Sequence, residues 1–280
     1  MKLSIVTINY NNIEGLKRTL SSVAEQSYRD IEHIIIDGGS SDGSVDVIKK
    51  YVSANPNEDP FFKHTIKWVS EKDNGIYNAM NKGIRKANGA YVQILNSGDI
   101  FAATDVVERM VDAIEKKEYP DLIYGNMIKK DYASGKIVGM SKEVEYSLRQ
   151  YYSSTMNHDC CYIRRDVYEK YGLYDESLKI VSDWKWFLQS IGFGKVKPVY
   201  VDIDVTIFDC SGISETNLEL RNKERRQVIE EVLPPAVLAD YDKHAFEMEQ
   251  MMRLRRHHLY WLVYFIERVL FKLEKWHVLR

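Results

Sequence analysis

Apolar residues up to Asp99 follow two alternating patterns. Short continuous apolar runs predict strands buried on both faces, and segments with apolar residues every three or four positions predict helices. The predicted strands are Leu3–Asn9, Ile31–Asp37, Thr65–Val69 and Ala90–Leu95, and the predicted helices are Ile13–Ala24, Ser44–Tyr51 and Ile76–Ala87. Strands and helices that alternate in this way form a parallel sheet with right-handed crossover connections.

Beyond Asp99 the pattern becomes mixed, and the end of the chain is helical. Further strands are predicted at Asp121–Lys130, Lys136–Met140, Cys160–Arg164 and, as one or two strands, Lys197–Ile207, and further helices at Val106–Glu118, Arg165–Tyr171 and Asp183–Ser190. From Asn217 onward the pattern is almost wholly helical, with a break near Pro234 and Pro235. The predicted fold class is therefore α/β, with a mixed, mainly parallel sheet flanked by helices and a C-terminal helical extension.

The composition supports a folded chain with a large core, since 45% of the 280 residues are hydrophobic. A formal net charge of -2 argues against a general nucleic-acid-binding protein. The three cysteines include no C-x-x-C pair, so neither a disulfide framework nor a zinc site is expected, and a reducing, cytosolic compartment fits. We expect no signal peptide and no membrane-spanning helix, because no apolar stretch of about 20 residues occurs.

Two polar segments follow predicted strands directly. They are Asp37–Gly43, with the sequence DGGSSDG, and Asn96–Asp99, with the sequence NSGD. Ligands of open α/β sheets bind beyond the carboxyl ends of the strands, where Asp37 could accept a hydrogen bond from a base or ribose. Asp99 is a hard oxygen ligand suited to Mg²⁺ or Mn²⁺. Each segment alone is equally typical of a polar turn that caps the next helix.

Two later segments combine acidic and small or aromatic residues. Ser70–Gly83 places polar residues at a strand end and at the start of a helix, which can help to hold an anion. In the segment Ile180–Phe187, Asp183 precedes Trp184 and Trp186. A carboxylate there could accept a hydroxyl proton while an aromatic ring stacks on a sugar. A capped helix that packs in the core would have the same residues.

Together and in this order, the four segments resemble family 2 glycosyltransferases of the GT-A fold, whose nucleotide-binding sheet is Rossmann-like. Ser4–Asn11 is similar to the first strand of that family, Asp37–Gly43 to its base-binding turn, Asn96–Asp99 to its D-x-D-like element, and Phe208–Ser214 to a late flexible loop. The resemblance covers about residues 1–215. It implies a catalytic domain at 1–215, divided into a nucleotide-sugar-binding half (1–100) and an acceptor-binding half (101–215), with the extension at 216–280.

The resemblance implies a role for each matching position. The residues expected to bind the nucleotide sugar are Thr7, Tyr10, Asp37, Gly39, Asp73, Ser97 and Asp99. Asp99 would also hold a divalent metal, Mn²⁺ or Mg²⁺, although Asn96 and Gly98 replace carboxylates that are common in this element. Asp183 would be the general base of a single inverting displacement. His158 and Trp184 would contact the acceptor, although His158 could equally be a structural histidine.

The resemblance also implies partners. The donor would be a nucleotide sugar, most commonly a UDP-sugar, and the acceptor a glycan or lipid-linked saccharide in the synthesis of a bacterial capsule, exopolysaccharide or O-antigen. A catalytically inactive nucleotide-sugar-binding protein is one alternative. A nucleotidyltransferase is a weaker one, because Asn9–Asn12 stands where a Gly-rich loop with a basic residue would follow the first strand.

The C-terminal segment 253–280 is basic, with seven Lys and Arg residues against two Glu residues. Apolar residues recur within it at helical spacing, from Leu259 to Leu273, and Trp261 and Trp276 add aromatic surface. Such a helix is typical of contact with an anionic membrane surface. We therefore expect a cytoplasmic protein that is peripheral at the inner face of the membrane. Packing on the catalytic domain or in a dimer interface is the alternative.

Overall fold

The computed structural model describes residues 1–54, 64–256 and 260–275. These fall into two compact units, Met1–Val228 and Ile229–Arg280. The predicted tail residues Leu259 and Trp276 lie outside the described residues. The division between a catalytic domain and an extension near residue 215 stays a prediction.

The first unit is built on a nine-stranded sheet. Its strands are β1 (Leu3–Asn9), β2 (Ile31–Asp37), β3 (Thr65–Ser70), β4 (Tyr91–Ile94), β5 (Ile100–Phe101), β6 (Leu122–Asp131), β7 (Lys136–Ser141), β8 (Cys161–Arg164) and β9 (Pro198–Asp209). The strand order is β3-β2-β1-β4-β8-β6-β9-β5, and β7 pairs with β6. The first four strands and the β6–β9 pair are parallel, and the remaining pairs are antiparallel.

Helices cover the sheet and form the C-terminal part of the chain. They are α1 (Ile13–Ala24), α2 (Ser44–Ala54), α3 (Ile76–Lys86), α4 (Val106–Lys116), α5 (Leu148–Ser153), α6 (Arg165–Tyr171), α7 (Ser182–Phe187), α8 (Ile213–Thr216), α9 (Leu218–Val232), α10 (Pro235–Arg255) and α11 (Tyr260–Lys275). A 3₁₀ turn at His158–Cys160 precedes β8, and a π-helical turn at Leu188–Gly192 continues α7. The sequence pattern missed β5, α5, α8 and the 3₁₀ turn, because each is too short to show a periodicity.

The early elements follow from local patterns. Every residue of β1 and β2 is buried, as their continuous apolar runs predict. Helix α1 turns Leu16, Leu20 and Val23 inward, and the Asn12 side chain caps it by accepting a hydrogen bond from the Gly15 N–H. These elements end where the sequence predicts, at Asn9, Ala24 and Asp37.

The carboxyl ends of β1, β2 and β4 meet at one edge of the sheet. Asn9 pairs with Asp37 in the β1–β2 register. The Gly38 N–H donates to the Asn9 carbonyl oxygen (2.8 Å), and the Ser97 N–H donates to the Ile8 carbonyl oxygen (3.0 Å). The three loops that leave this edge are therefore held side by side.

The second unit contains α10 and α11. Along α11, large apolar side chains are exposed, including Trp261 (71%) and Phe265 (66%). Among the residues that the structure describes, no helix has the length and apolar character needed to cross a membrane.

Candidate active site

A cavity of about 980 Å³ opens at the strand edge described above. Its walls come from the loops after β1, β2 and β4, the starts of α3 and α7, the turn before β8, the end of β9, and α9. Residues that are far apart in the sequence therefore face one space. Of the predicted site residues, the cavity is lined by Tyr10, Gly39, Asp73, Ser97, Asp99, His158, Asp183 and Trp184.

Asp37 does not reach this cavity. Its carboxylate is fully buried and accepts hydrogen bonds from Asn9 Nδ2 (2.8 Å), Ser70 Oγ (2.6 Å) and Ser40 Oγ (2.6 Å), and from the N–H groups of Gly39 and Ser40. Burial by itself would raise the pKa of Asp37, but these hydrogen bonds outweigh burial and lower it. Asp37 therefore shapes the loop that carries Gly38 and Gly39 into the cavity wall, and its expected contact with a base stays a prediction.

Thr7 also lies away from the cavity. It is fully buried, and its Oγ1 lies 3.0 Å from His33 Nε2. Successive residues of a strand point to opposite faces, and it is the neighbouring Ile8 that lines the cavity. This position gives no support to the expected role of Thr7 in the nucleoside pocket, which stays a prediction.

The loops after β1, β2 and β3 approach one another closely at Gly38. A Cβ atom on Gly38 would lie 3.1 Å from Tyr10 Cδ2 and 3.2 Å from Asp73 Oδ2, so a larger residue would crowd both. Asp73 pairs with Lys82 at 2.6 Å, and Tyr10 is 68% exposed. Tyr10 and Asp73 are therefore placed to meet a ligand that enters from solvent.

Asp99, after β4, is almost fully buried at the cavity wall. Its Oδ1 accepts a hydrogen bond from the Asp209 N–H (2.8 Å). Burial, and then the negative charge of Asp159, raise the pKa of Asp99 well above its ordinary value. A cation beside this carboxyl group would favour its ionised form.

A metal ion would find few protein ligands here. Asp209 also lines the cavity, but its carboxylate already pairs with Arg18 at 2.9 Å. Across residues 1–54, 64–256 and 260–275, no three His, Cys, Asp or Glu side chains are grouped to hold a metal ion. Mg²⁺ in such sites often takes one or two carboxylates and the phosphates of a substrate. Asp99 fits a metal of that kind, which substrate oxygens would largely coordinate.

Asp183 lies in the first turn of α7 and joins a chain of hydrogen bonds. Its Oδ1 accepts from the Tyr77 hydroxyl (2.8 Å), and its Oδ2 from His158 Nδ1 (3.1 Å). His158 Nε2 in turn lies 2.9 Å from Asp159 Oδ1. The Asp183 side chain is 14% exposed, so its carboxylate remains accessible from the cavity.

The pKa of Asp183 in this chain of hydrogen bonds depends on His158. Burial would lower the pKa of His158, but the carboxylates of Asp159 and Asp183 outweigh burial and raise it well above its ordinary value, which favours the charged form of the ring. Burial would raise the pKa of Asp183, and hydrogen bonding and charge from His158, with a hydrogen bond from Tyr77, lower it instead. The cavity therefore contains an ionised carboxylate that can accept a proton.

Trp184, which was expected to stack on an acceptor sugar, lies buried at the cavity wall. The side chain is 2% exposed, and its Nε1 donates to the Tyr151 carbonyl oxygen (2.6 Å). The Arg225 guanidinium carbon lies 4.5 Å from the centre of its ring. Arg225 therefore occupies one face of this ring, which supports the guanidinium, and the expected contact of Trp184 with an acceptor stays a prediction.

Comparison with known proteins assigns the chain to a family. Residues 4–172 match the profile of glycosyl transferase family 2. An uncharacterized glycosyltransferase of Mycobacterium tuberculosis is 33% identical over 217 residues, which cover 75% of this chain and 76% of that protein. The chain belongs to glycosyl transferase family 2. This family 2 glycosyltransferase is also 24% identical, over 214 residues, to a PGL/p-HBAD biosynthesis glycosyltransferase of Mycobacterium bovis, covering 76% of this chain and 79% of that one.

Solved structures of glycosyltransferases share its fold. The mannosyltransferase PcManGT from Pyrobaculum calidifontis, in complex with GDP-Man and Mn²⁺, has a TM-score of 0.62 and 16% identity over 88% of this chain and 69% of that chain. S. aureus TarS 1–349, in complex with UDP-GlcNAc, has a TM-score of 0.58 and 17% identity over 78% of this chain and 61% of that one. The family 2 glycosyltransferase thus spans less than two thirds of that TarS chain. The likeness shows the fold, which is GT-A.

The predicted family, fold class and enzyme class are confirmed. A nucleotidyltransferase is thereby set aside. The cavity is also lined by polar residues that the sequence analysis did not single out. They are Tyr77, Asp159, Asp209, Arg221 and Arg225. Tyr77 stands within a segment already noted at the start of α3, and Asp209 stands within the loop Phe208–Ser214, but neither residue was singled out. The two arginines lie in a strongly polar helix without any motif, so no local signal distinguishes them.

Proposed function

We propose that this glycosyltransferase moves a sugar from a nucleoside diphosphate donor to a hydroxyl group of an acceptor, with inversion at the anomeric carbon. The observation that carries the proposal is the Asp183 carboxylate at the cavity, which is held between the Tyr77 hydroxyl and the His158 ring and has a lowered pKa. Such a carboxylate is suited to act as a general base.

In the proposed step, an acceptor hydroxyl approaches Asp183, which takes its proton. The hydroxyl oxygen forms a bond to the anomeric carbon while the bond from that carbon to the diphosphate oxygen breaks. The diphosphate leaves with the electron pair, and one displacement inverts the configuration. Asp183 afterwards releases its proton to solvent. His158 and Tyr77 orient the carboxylate throughout.

We propose that the nucleotide part of the donor is held by residues that line the cavity at the ends of the parallel strands. They are Tyr10, Gly38, Gly39 and Asp73. UDP is the first nucleotide to test and GDP the second, since glycosyltransferases of this fold have been solved with UDP-GlcNAc and with GDP-Man. We assign Asp99 as the protein ligand of a divalent metal, Mn²⁺ or Mg²⁺. When bound, the metal would supply positive charge beside the leaving diphosphate.

The proposed acceptor is a glycan or lipid-linked saccharide in surface polysaccharide synthesis. The relative in PGL/p-HBAD biosynthesis supports an acceptor of this general kind. The exposed apolar side chains of α11, together with the exposed Arg268 and Lys272, support contact with an anionic membrane surface. We propose that the protein acts at the inner face of the membrane, where lipid-linked acceptors would be presented.

The function is tested with the Asp183→Asn variant and donor panels. Thermal shifts with UDP, GDP, dTDP and CDP, with Mn²⁺ or with EDTA, identify the nucleotide, since a ligand of the native state raises the melting temperature. Transfer is then followed by NMR of the product anomer. We expect Asp183→Asn to bind the nucleotide normally and to lose about 10²–10⁴-fold in kcat.

The exposed variant Asp112→Asn, on α4, is the matched control and should retain wild-type transfer. Full activity in Asp183→Asn would refute the assigned base. A product that retains the donor configuration would refute the single displacement. Nucleotide binding without transfer in the wild-type protein would support the inactive binding protein instead.

A further inference from the structure

Three basic side chains line the cavity from its C-terminal side, and we call them the cation cluster: Lys179, Arg221 and Arg225. Two of them lie one turn apart on α9, and Lys179 lies three residues before the start of α7. Glu224 joins these segments, because its carboxylate accepts hydrogen bonds from the N–H groups of Lys179 (2.8 Å) and Ile180 (2.9 Å). The cations are thus brought together by a buried contact within the first unit.

Arg225 contributes a buried donor to the cation cluster. Its Nη2 atom is buried and has no hydrogen-bond partner among the residues that the structure describes. Burial, and then the neighbouring positive charge of Arg221, lower the pKa of Arg225. A buried cationic donor without a partner is costly, and an anion that fills the place would recover that cost.

The negative groups nearby are already engaged. Asp183 attracts Arg225, but both oxygens of its carboxylate accept hydrogen bonds from Tyr77 and His158. Glu215 lines the same cavity and pairs with Lys129 at 2.7 Å. The Glu224 carboxylate faces the backbone N–H groups described above. Among the described residues, none of these carboxylates accepts a hydrogen bond from Arg225 Nη2, which leaves this atom to pair with an acidic group of a ligand.

The position of Arg225 indicates which ligand this would be. Its guanidinium lies over Trp184, the residue directly after the proposed base. The loops proposed to hold the nucleotide follow β1, β2 and β3, whereas the cation cluster belongs to segments that come after β8 in the chain. An anion bound at Arg225 would therefore adjoin the acceptor hydroxyl at Asp183.

We propose that the cation cluster binds an oxyanion of the acceptor, a phosphate or a carboxylate group, and so positions the acceptor hydroxyl at Asp183. This proposal rests on the proposed function and names the acceptor as acidic. The planar guanidinium of Arg225 suits two parallel hydrogen bonds to such a group. The Trp184 ring holds the guanidinium plane, so less freedom is lost when the anion binds.

The test uses the full-length protein saturated with UDP, or with GDP if UDP does not bind. Ligand-observed NMR titrations compare phenyl phosphate with benzyl alcohol, and glucuronate with glucose, so that each anion has an uncharged match. We expect one of the two anions to bind more tightly than its match, which also tells phosphate from carboxylate. Arg225→Gln should lower the affinity for that anion by about tenfold or more, because the substitution removes a charge-assisted bidentate contact.

The exposed variant Lys223→Gln on the same helix is the matched control and should bind like wild type. Arg225→Lys should restore only part of the affinity. If Arg225→Gln does not fold, Arg221→Gln carries the same comparison. Equal binding of anions and neutral matches, or an unchanged anion affinity in the folded variants, would overturn the proposal. So would an equal loss of affinity for UDP, because the cation cluster would then serve the donor.

The nucleotide titrations keep the two proposals separate. If no nucleotide binds any variant, the proposed function fails, and the anion titrations on the free protein still test the cation cluster. If nucleotides bind but anions do not, the acidic acceptor alone is refuted.

Discussion

His158 determines the state of the proposed base. It lies between the carboxylates of Asp183 and Asp159, and the two interactions raise its pKa although burial would lower it. The Asp183 carboxylate consequently has a lowered pKa in surroundings where burial alone would raise it. The histidine predicted to touch the acceptor is therefore also placed to act through Asp183.

We expect His158→Gln to move the acidic limb of the kcat/KM profile to higher pH. The substitution removes the cation that lowers the pKa of Asp183, while the burial that raises it remains. The base is therefore protonated, and activity lost, at a pH where the wild-type base is still ionised. Rates from pH 4 to pH 9 would measure this, with the exposed His244→Gln as control. An acidic limb at the same pH in both variants would contradict the role.

Helix α3 depends on a close approach to the sheet. Gly83 lies on its buried face, and a Cβ atom there would be 2.2 Å from Val6 Cγ1 on β1. Because α3 also carries Tyr77 and follows the loop of Asp73, the glycine fixes the distance between the sheet and two cavity residues.

Gly83→Ala is expected to destabilise the protein by about 1–3 kcal/mol, as overpacking of a filled core does. Urea unfolding at neutral pH measures the change. Gly139→Ala on β7 is the control, because its Cβ atom would meet nothing closer than 3.9 Å. A Gly83→Ala variant as stable as the wild type would show that α3 can move away without cost.

At the scale of the whole molecule, buried histidines make stability depend on pH. His33 is fully buried between Thr7 on β1 and Tyr51 on α2. Burial lowers its pKa to about 3, and burial also lowers the pKa of His64. The unfolded chain binds protons at these sites at a higher pH than the folded chain does.

The stability that depends on neutral His33 and His64 is therefore expected to be complete above about pH 6.5 and to fall as the pH decreases toward 3. For His33 the loss approaches about 1.4 kcal/mol for each pH unit below the unfolded pKa. Urea midpoints from pH 7.5 to pH 4 measure this, and His33→Gln should give a shallower dependence even if it is less stable at pH 7.5. The same slope in both proteins would rule out His33 as the titrating group.

The second unit carries the proposed membrane contact. Trp261 and Phe265 lie one turn apart on α11 and are exposed, as are Arg268 and Lys272 further along. We expect the full-length protein to bind phosphatidylserine vesicles in sedimentation assays, and the double variant Trp261→Glu with Phe265→Glu to lose most of this binding. Ile137→Glu, an equally exposed apolar position on β7, should bind normally. Vesicle binding that is the same in all three proteins would exclude α11 as the contact.

The sequence by itself determined the parallel half of the sheet and the family. The bounds of β1, α1 and β2 follow from local periodicity and an N-terminal cap, which act within a few residues and leave their pattern in the chain. The residues Tyr10, Asp73, Asp99, His158 and Asp183 were expected at the site because their segments resemble those of a known family, and the fold brings all of them to one cavity.

Only the tertiary structure decided which side chains face that cavity. Neighbouring residues of β1 point to opposite faces, so that Thr7 faces the core and Ile8 faces the cavity. Five hydrogen-bond donors hold the Asp37 carboxylate behind the cavity wall. Arg225 lies over the Trp184 ring although it is 41 positions further along the chain. Its helix is held there by the hydrogen bonds that Glu224 accepts from the N–H groups of Lys179 and Ile180. Such orientations depend on contacts between distant segments, and no local pattern in the sequence encodes them.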